Sequence, residues 1–253
     1  MLDSLNSEVF SALVGEIQSR LELTENDKSF LGRVFSTDLE AYAEQLVRLG
    51  FAGNTRVLDA GCGFGQWSLV LANLNEKVVG LDSSSTRTEF LSQLAAAIGQ
   101  RNIKTAVGAL ESLPFRNRSF DAIFCFGTVF LTDWTKALDE FARVLAPGGK
   151  LFLTFNDIGW YVNCWVNRPN EVSDYSPREV AASALRNALD FQINGSARGE
   201  RVISPEEMTK ELLKRHFLIE HMEPEQWRGR GSFFGLGGVY EVRASVQQSD
   251  DER

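Results

Sequence analysis

The chain has little of what would place it outside a cell or within a membrane. Its cysteines, Cys62, Cys125 and Cys164, are few, odd in number and far apart, which argues against a disulfide framework and suits a reducing cytoplasm. No apolar run approaches the roughly 20 residues that cross a bilayer, so no membrane span is expected. Met1-Leu2-Asp3-Ser4 does not lead from a basic segment into an apolar one, and a secretory signal is not expected. Basic charge is also short. A net charge of -8 over 253 residues disfavours partners that present phosphate backbones, so nucleic acid is not an expected ligand. Arg228 with Arg230 is the nearest approach to a basic patch and reads as a solvated loop. Histidine is confined to His216 and His221 near the far end, where packing or surface roles are expected, and no residue set is assigned to a metal. Neither an internal repeat nor a separate linker is visible.

What is present centres on Arg56 to Ser68, Arg-Val-Leu-Asp-Ala-Gly-Cys-Gly-Phe-Gly-Gln-Trp-Ser. Val57 and Leu58 read as a strand buried on both faces, and Asp59 stands at its end. Gly61, Gly63 and Gly65 then allow backbone angles and a closeness of approach that a Cβ forbids. A helix near Gln66 to Leu74 follows, whose first N–H groups favour a carboxylate or phosphate. The spacing is not G-x-G-x-x-G, because Gln66 holds the last position and Gly65 sits one residue early. A tight turn without ligand is the plainer alternative. Lys77-Val78-Val79-Gly80-Leu81-Asp82 is a second buried strand ending in a carboxylate able to accept from both hydroxyls of a ribose. Without a ligand, Asp82 would cap a helix.

Asp59-Ala60-Gly61-Cys62-Gly63-Phe64-Gly65 resembles the first motif of class I S-adenosylmethionine-dependent methyltransferases, an acidic residue followed by G-x-G-x-G. Leu113-Pro114-Phe115, Phe120-Asp121 and Arg143-Val144-Leu145-Ala146-Pro147-Gly148-Gly149-Lys150 resemble later segments of that family. The likeness covers about residues 50 to 155 well and 205 to 246 loosely. It implies S-adenosyl-L-methionine as cofactor, held by Asp59, Gly61, Cys62, Gly63 and Gly65, with Gln66 and Trp67 opening the helix. Asp82 and Ser83 would meet the ribose side, and Ala109, Leu110 and Phe126 the adenine side and the fourth strand. Where the family carries an acidic residue for the adenine amino group this chain has Ala109; backbone groups of Ala109 and Leu110 can meet the ring, and Glu111 is a candidate substitute. The sulfonium could be attracted by Trp67 or Phe64. An Asn or Asp-Pro-Pro-aromatic loop is missing at Gly127 to Asp133, which counts against amino-directed nucleic-acid methylases.

Periodicity supplies the rest. Phe10, Leu13, Val14 and Ile17 share a helical face, a short helix follows Thr24, and Thr37-Asp38-Leu39-Glu40 reads as a capping box. The resemblance implies that such helices, residues 1–50, cover the bound cofactor, and Tyr42 and Arg33 then either pack or touch ligand. Strands are expected at Lys104 to Ala109, Ser119 to Phe126 and Leu151 to Phe155. Asp133 caps an amphipathic helix ended by Ala146-Pro147-Gly148-Gly149. An inserted helical cap spans about 157–204, with Ile158, Tyr161, Val162, Trp165 and Val166 on one face; Trp160 and Tyr161 are candidate acceptor contacts, with packing as the other role for Tyr161. Asp157 is a candidate base or a helix cap. Phe217 to Met222 and Tyr240 to Val246 complete the sheet around a glycine-rich connection, and 247–253 reads as a polar tail.

The expected fold is α/β, an open sheet with helices on both faces, and the resemblance implies that it is Rossmann-like, seven-stranded and mostly parallel. The expected activity is methyl transfer to a small or medium-sized, apolar or aromatic acceptor, in a cytoplasmic setting. A nicotinamide-dinucleotide oxidoreductase and a non-catalytic cofactor-binding scaffold are the alternatives.

Overall fold

The computed structural model describes residues 7–194 and 199–247; Met1 to Ser4 and all of the expected tail beyond Gln247 lie outside the described residues. The chain divides into two compact units, one ending at Ala109 and the other beginning at Leu110. The main sheet has seven strands, and nine α-helices occur among the described residues, a Rossmann-like α/β fold as expected.

The first unit runs α1 Ser7–Ser19, α2 Glu25–Phe35, α3 Leu39–Arg48, β1 Arg56–Ala60, α4 Gln66–Leu74, β2 Lys77–Asp82, α5 Ser85–Ala97 and β3 Ile103–Val107. β2 pairs in parallel with β1 on one side and β3 on the other. Val57, Leu58 and Leu81 have no exposure, as strands covered on both faces require. Ile17, Leu31 and Val34 of the first helices pack with Phe64, Leu69, Phe90 and Leu91, so the N-terminal cover is fastened to the glycine turn and to α5. The capping box expected at Thr37 is not what starts α3: Asp38 is the N-cap and accepts the Glu40 N–H at 3.0 Å. β3 is shorter than expected and stops at Val107, and the Gly108 N–H then bonds the carbonyl of Asp82 at 3.0 Å.

The second unit runs β4 Phe120–Cys125, α6 Trp134–Val144, β5 Leu145–Asn156, α7 Ile158–Asn167, α8 Pro177–Asn194, α9 Pro205–Lys214, β6 Phe217–Pro224, β7 Ser232–Phe233, β8 Leu236–Gly237 and β9 Val239–Val246. The sheet order is β3-β2-β1-β4-β5-β9-β6, with β4 and β5 parallel and β9 antiparallel to both β5 and β6. α6 buries Trp134, Ala137, Leu138, Phe141 and Val144, a helical stripe. The Ala-Pro-Gly-Gly segment does not separate helix from strand. β5 begins at Leu145, and its register against β4 shifts between Phe120 and Ala122 to accommodate the segment. Glycine is required there, since a Cβ on Gly149 would lie 2.8 Å from the Ala146 carbonyl oxygen. α9 opens with the reciprocal capping box of Ser204 and Glu207. The glycine-rich connection contains the β7–β8 hairpin.

Candidate functional site

In the first unit the turn after β1 is built largely from its own backbone. Gly61, Gly63 and Gly65 all have positive φ (79°, 54° and 88°), a region that side chains rarely adopt. The N–H groups of Gly61 and Cys62 both reach the Leu81 carbonyl, at 2.7 and 2.9 Å, and Gly63 donates to Asp82 Oδ2 at 2.9 Å. The turn is thus tied to the end of β2. The close approach that two of the glycines permit is to protein: a Cβ on Gly63 would meet the Phe30 ring at 3.1 Å, and one on Gly65 would meet Leu91 at 2.2 Å. Sequence reasoning assigned those approaches to a ligand; packing of α2 and α5 also demands them.

Asp59 is buried and accepts the Ser68 hydroxyl at 2.6 Å, which fastens β1 to α4. Burial pushes its pKa up to about 7, with the Ser68 bond opposing and the Asp82 charge adding. Asp82 keeps 7% exposure; its other oxygen, Oδ1, accepts the Ser84 N–H at 2.9 Å. Ser84, not Asp82, is the N-cap of α5, and Ser83 is exposed beside it. A carboxylate offers about four acceptor sites, so both oxygens of Asp82 retain capacity for hydroxyl donors. Burial also drives the Cys62 thiol well above its ordinary value, which keeps it an unreactive packing group.

α4 starts without a side-chain cap, since Gly65 is its N-cap. Gln66, the next residue, is buried, and its Oε1 has no donor among the described residues. A buried acceptor beside an uncapped helix end and a carboxylate at the end of β2 suit a ligand that brings both N–H and hydroxyl donors. Trp67 and Phe64 do not stand open to such a ligand. Trp67 lies edge-on to Tyr42 at 4.5 Å, and Tyr42 is itself wholly buried with its hydroxyl on the Val34 carbonyl. Phe64 packs on Phe90 at 5.2 Å, under the Arg87 guanidinium at 5.7 Å. The expectation of a sulfonium on Phe64 is corrected, because core packing occupies that ring. Arg33 bonds Ser29 Oγ at 2.7 Å. Ala109 is exposed at the end of this unit.

In the second unit Leu110 is buried, and Glu111 is committed to the start of α6, where its Oε1 accepts the Asp133 N–H at 2.9 Å. Phe126 follows β4 directly and is half-buried, and the next N–H, of Gly127, is held by Thr154 Oγ1 at 2.8 Å. Asp157 caps α7, accepting the Ile158 N–H at 2.7 Å; burial first, then Glu206 and Glu207, raise its pKa. Tyr161 has no exposure, donates its hydroxyl to the Arg201 carbonyl at 3.1 Å and packs with Cys164, Ala181 and Ala184. It is a packing residue and not an acceptor contact. Trp160 is half-buried and tilts on Phe233 at 5.8 Å. Trp165, expected on the buried face, is half-exposed with Arg178 over its ring at 5.8 Å, because α7 turns Tyr161 and Cys164 toward α8.

Sequence reasoning missed one cluster. Arg228 is exposed and Arg230 half-buried, but the two are not simply solvated: both guanidinium groups lie over Phe126, at 5.8 and 5.4 Å from its centroid. The available signal was the aromatic partner beside them, Trp227, in a run closed by glycines.

Residues 57–149 match the family model described as a methyltransferase domain. The chain is 36% identical over 133 residues to the uncharacterized methyltransferase YcgJ of Bacillus subtilis strain 168, covering 51% of this chain and 52% of that protein. It is 34% identical over 105 residues to a demethylmenaquinone methyltransferase of Staphylococcus aureus strain JH9, covering 40% and 43%. The chain therefore spans about half the length of the curated relatives it matches. In fold it is similar to the crystal structure of a SAM-dependent methyltransferase from Aquifex aeolicus, with a TM-score of 0.56 at 17% identity, over 92% of this chain and 98% of that one.

Proposed function

We propose that this chain, whose residues 57–149 match a methyltransferase domain, transfers a methyl group from S-adenosyl-L-methionine to a small or medium-sized organic acceptor with an apolar or aromatic body. The observation that carries the reading is the Asp82 carboxylate, held at the end of β2 by the N–H groups of Gly63 and Ser84, with acceptor capacity left for a ribose. Gln66 Oε1 is the candidate partner for an ammonium donor, and the α4 end favours a carboxylate.

When bound, the cofactor supplies an electrophilic methyl carbon on a sulfonium. The chain's own work is then alignment of acceptor and removal of competing water, which can amount to most of the catalysis of a displacement. No dedicated base is assigned, since Asp157 is engaged as a helix cap. On the acceptor side we assign Phe126 and Trp160, with α7 and α8 as the inserted cap above an apolar molecule; the relative named as a demethylmenaquinone methyltransferase supports an organic acceptor.

Calorimetric titration with S-adenosylmethionine and its demethylated product, beside a nicotinamide dinucleotide, tests the cofactor. Binding of the first two and not the third is expected, and the reverse overturns the reading. Labelled methyl donor offered with protein to a metabolite extract should label a small molecule. Cofactor binding with no transfer to any fraction would leave a scaffold in place of an enzyme.

A further inference from the structure

The loop between β6 and β9 is built around a buried acid. Glu225 is 2% exposed and accepts the backbone N–H of Arg228 at 2.7 Å and of Arg230 at 3.1 Å, and its Oε2 lies 3.4 Å from Arg230 Nε. Backbone bonds close the same loop. Glu225 N–H reaches the Val239 carbonyl at 2.9 Å, Val239 N–H the Arg230 carbonyl at 2.8 Å, and Gly238 N–H the Gly231 carbonyl at 3.0 Å. There is no slack around Gly231, where a Cβ would fall 2.6 Å from Pro224 Cβ. A loop so bonded presents its two arginines in a set place.

That place is the ring of Phe126, the first residue beyond β4, with Trp227 edge-on at 6.2 Å and Arg228 also over Trp227 at 4.6 Å. Ligands of open α/β sheets bind outside the carboxyl ends of the strands. Two guanidinium groups on one ring repel each other. Burial lowers the pKa of Arg230, and Arg228 lowers it further against the opposing pull of Glu225. Aromatic faces offset part of that cost, roughly 0.5–2 kcal/mol per cation–π contact. A guanidinium resting on a ring keeps its N–H donors at its edge, in the fork that matches a carboxylate or phosphate. Fastening the loop needs only Glu225 and the backbone; it does not need both side chains drawn onto Phe126.

We infer that Arg228 and Arg230, lying over Phe126 at the carboxyl end of β4, form an anion subsite that holds a carboxylate or phosphate on the methyl acceptor, away from the atom that is methylated. The inference rests on the methyltransferase reading, and it adds that the apolar acceptor carries a negative charge. The apolar body would lie along Phe126 and Trp227 while the anion meets the guanidinium edges.

The test uses the full chain loaded with the demethylated cofactor, titrated with benzoate, phenyl phosphate and neutral benzamide, with calorimetry and the chain's tryptophan fluorescence as readouts. At least one of the two anions should bind and benzamide should not; a preference for benzoate or for phenyl phosphate tells carboxylate from phosphate. Arg228→Gln, an exposed position, should weaken the anion by about tenfold, equivalent to about 1.4 kcal/mol, and leave affinity for the demethylated cofactor unchanged. Arg230→Lys keeps the charge opposite Glu225 but loses the fork, and should also weaken the anion. Binding of neither anion, or equal binding by wild type and Arg228→Gln, overturns the subsite while cofactor affinity stands. Loss of cofactor binding by the wild-type chain would instead overturn the function itself.

Discussion

The backbone N–H of Gly63 and the carboxylate of Asp82 are joined at 2.9 Å, so the middle glycine of the turn and the acid of the next strand hold each other. With Oδ1 bonded to Ser84, the carboxylate is oriented before any ligand arrives. Hydrogen bonds to a charged acceptor contribute about 1.5–3 kcal/mol each. Asp82→Ala should therefore both loosen the turn and remove the ribose acceptor. A fall in S-adenosylmethionine affinity of at least about tenfold, together with a loss of unfolding free energy of about 2 kcal/mol, is expected from calorimetry and urea unfolding. Unchanged affinity would show that the ribose does not lie at β2.

Gly65 is where turn geometry and packing coincide. A side chain there would need a φ of 88° and would drive a Cβ to 2.2 Å from Leu91, whereas Gly99, also at positive φ, has nothing within 4 Å. Gly99→Ala thus meets only the backbone cost, about 1 kcal/mol, and Gly65→Ala adds overpacking of about 1–3 kcal/mol. Urea unfolding of the two variants should rank them in that order, and Leu91→Ala should cost less in the Gly65→Ala background than in the wild type. Equal costs would mean that Leu91 moves aside freely.

The turn, α4 and β2 were legible in the sequence because each is specified locally, by glycines at fixed spacing and by a continuous apolar run. What escaped depends on distant partners. Periodicity put Trp165 on an apolar face but could not say that α8 covers the Tyr161 side of α7 and leaves Trp165 half-exposed. Thr37 and Asp38 both suit a cap, and only the entry of the chain into α3 decides for Asp38. Arg228 and Arg230 meet Phe126 across about a hundred residues of sequence, and no local pattern announces that meeting.

Tyr161 and its neighbour Trp160 separate packing from acceptor contact. Tyr161 is fully enclosed, so Tyr161→Ala should cost about 3–5 kcal/mol, and Tyr161→Phe, which keeps the ring and loses the hydroxyl with its bond to the Arg201 carbonyl, about 1 kcal/mol. Trp160 is half-buried, and Trp160→Ala should spare most of the stability yet raise the acceptor KM. Melting curves beside turnover measurements check both. If Trp160→Ala leaves KM and kcat alone, the assignment of that ring to the acceptor fails.

Asp59 makes the stability of the cofactor-free chain depend on pH in a direction opposite to that of an ordinary paired carboxylate. Burial raises it from 3.8 to about 7 in the folded chain, so between those values the native state holds a proton that the unfolded chain has released. Stability from this group is complete below about pH 4, declines as pH rises toward 7, and is flat above that. Glu200, raised from 4.5 to about 7 by burial, acts in the same sense and window. Asp59→Asn removes one of the two contributions while keeping an oxygen for the Ser68 hydroxyl. Each pKa unit is 1.36 kcal/mol, and with the Ser68 bond retained the variant should gain on the order of 2 kcal/mol over wild type at pH 8, shrinking toward zero or reversing below pH 4. Urea unfolding at pH 4, 6 and 8 provides the measurement. Parallel pH profiles for the two proteins would show that the Asp59 carboxylate ionises in the native state at its ordinary pKa.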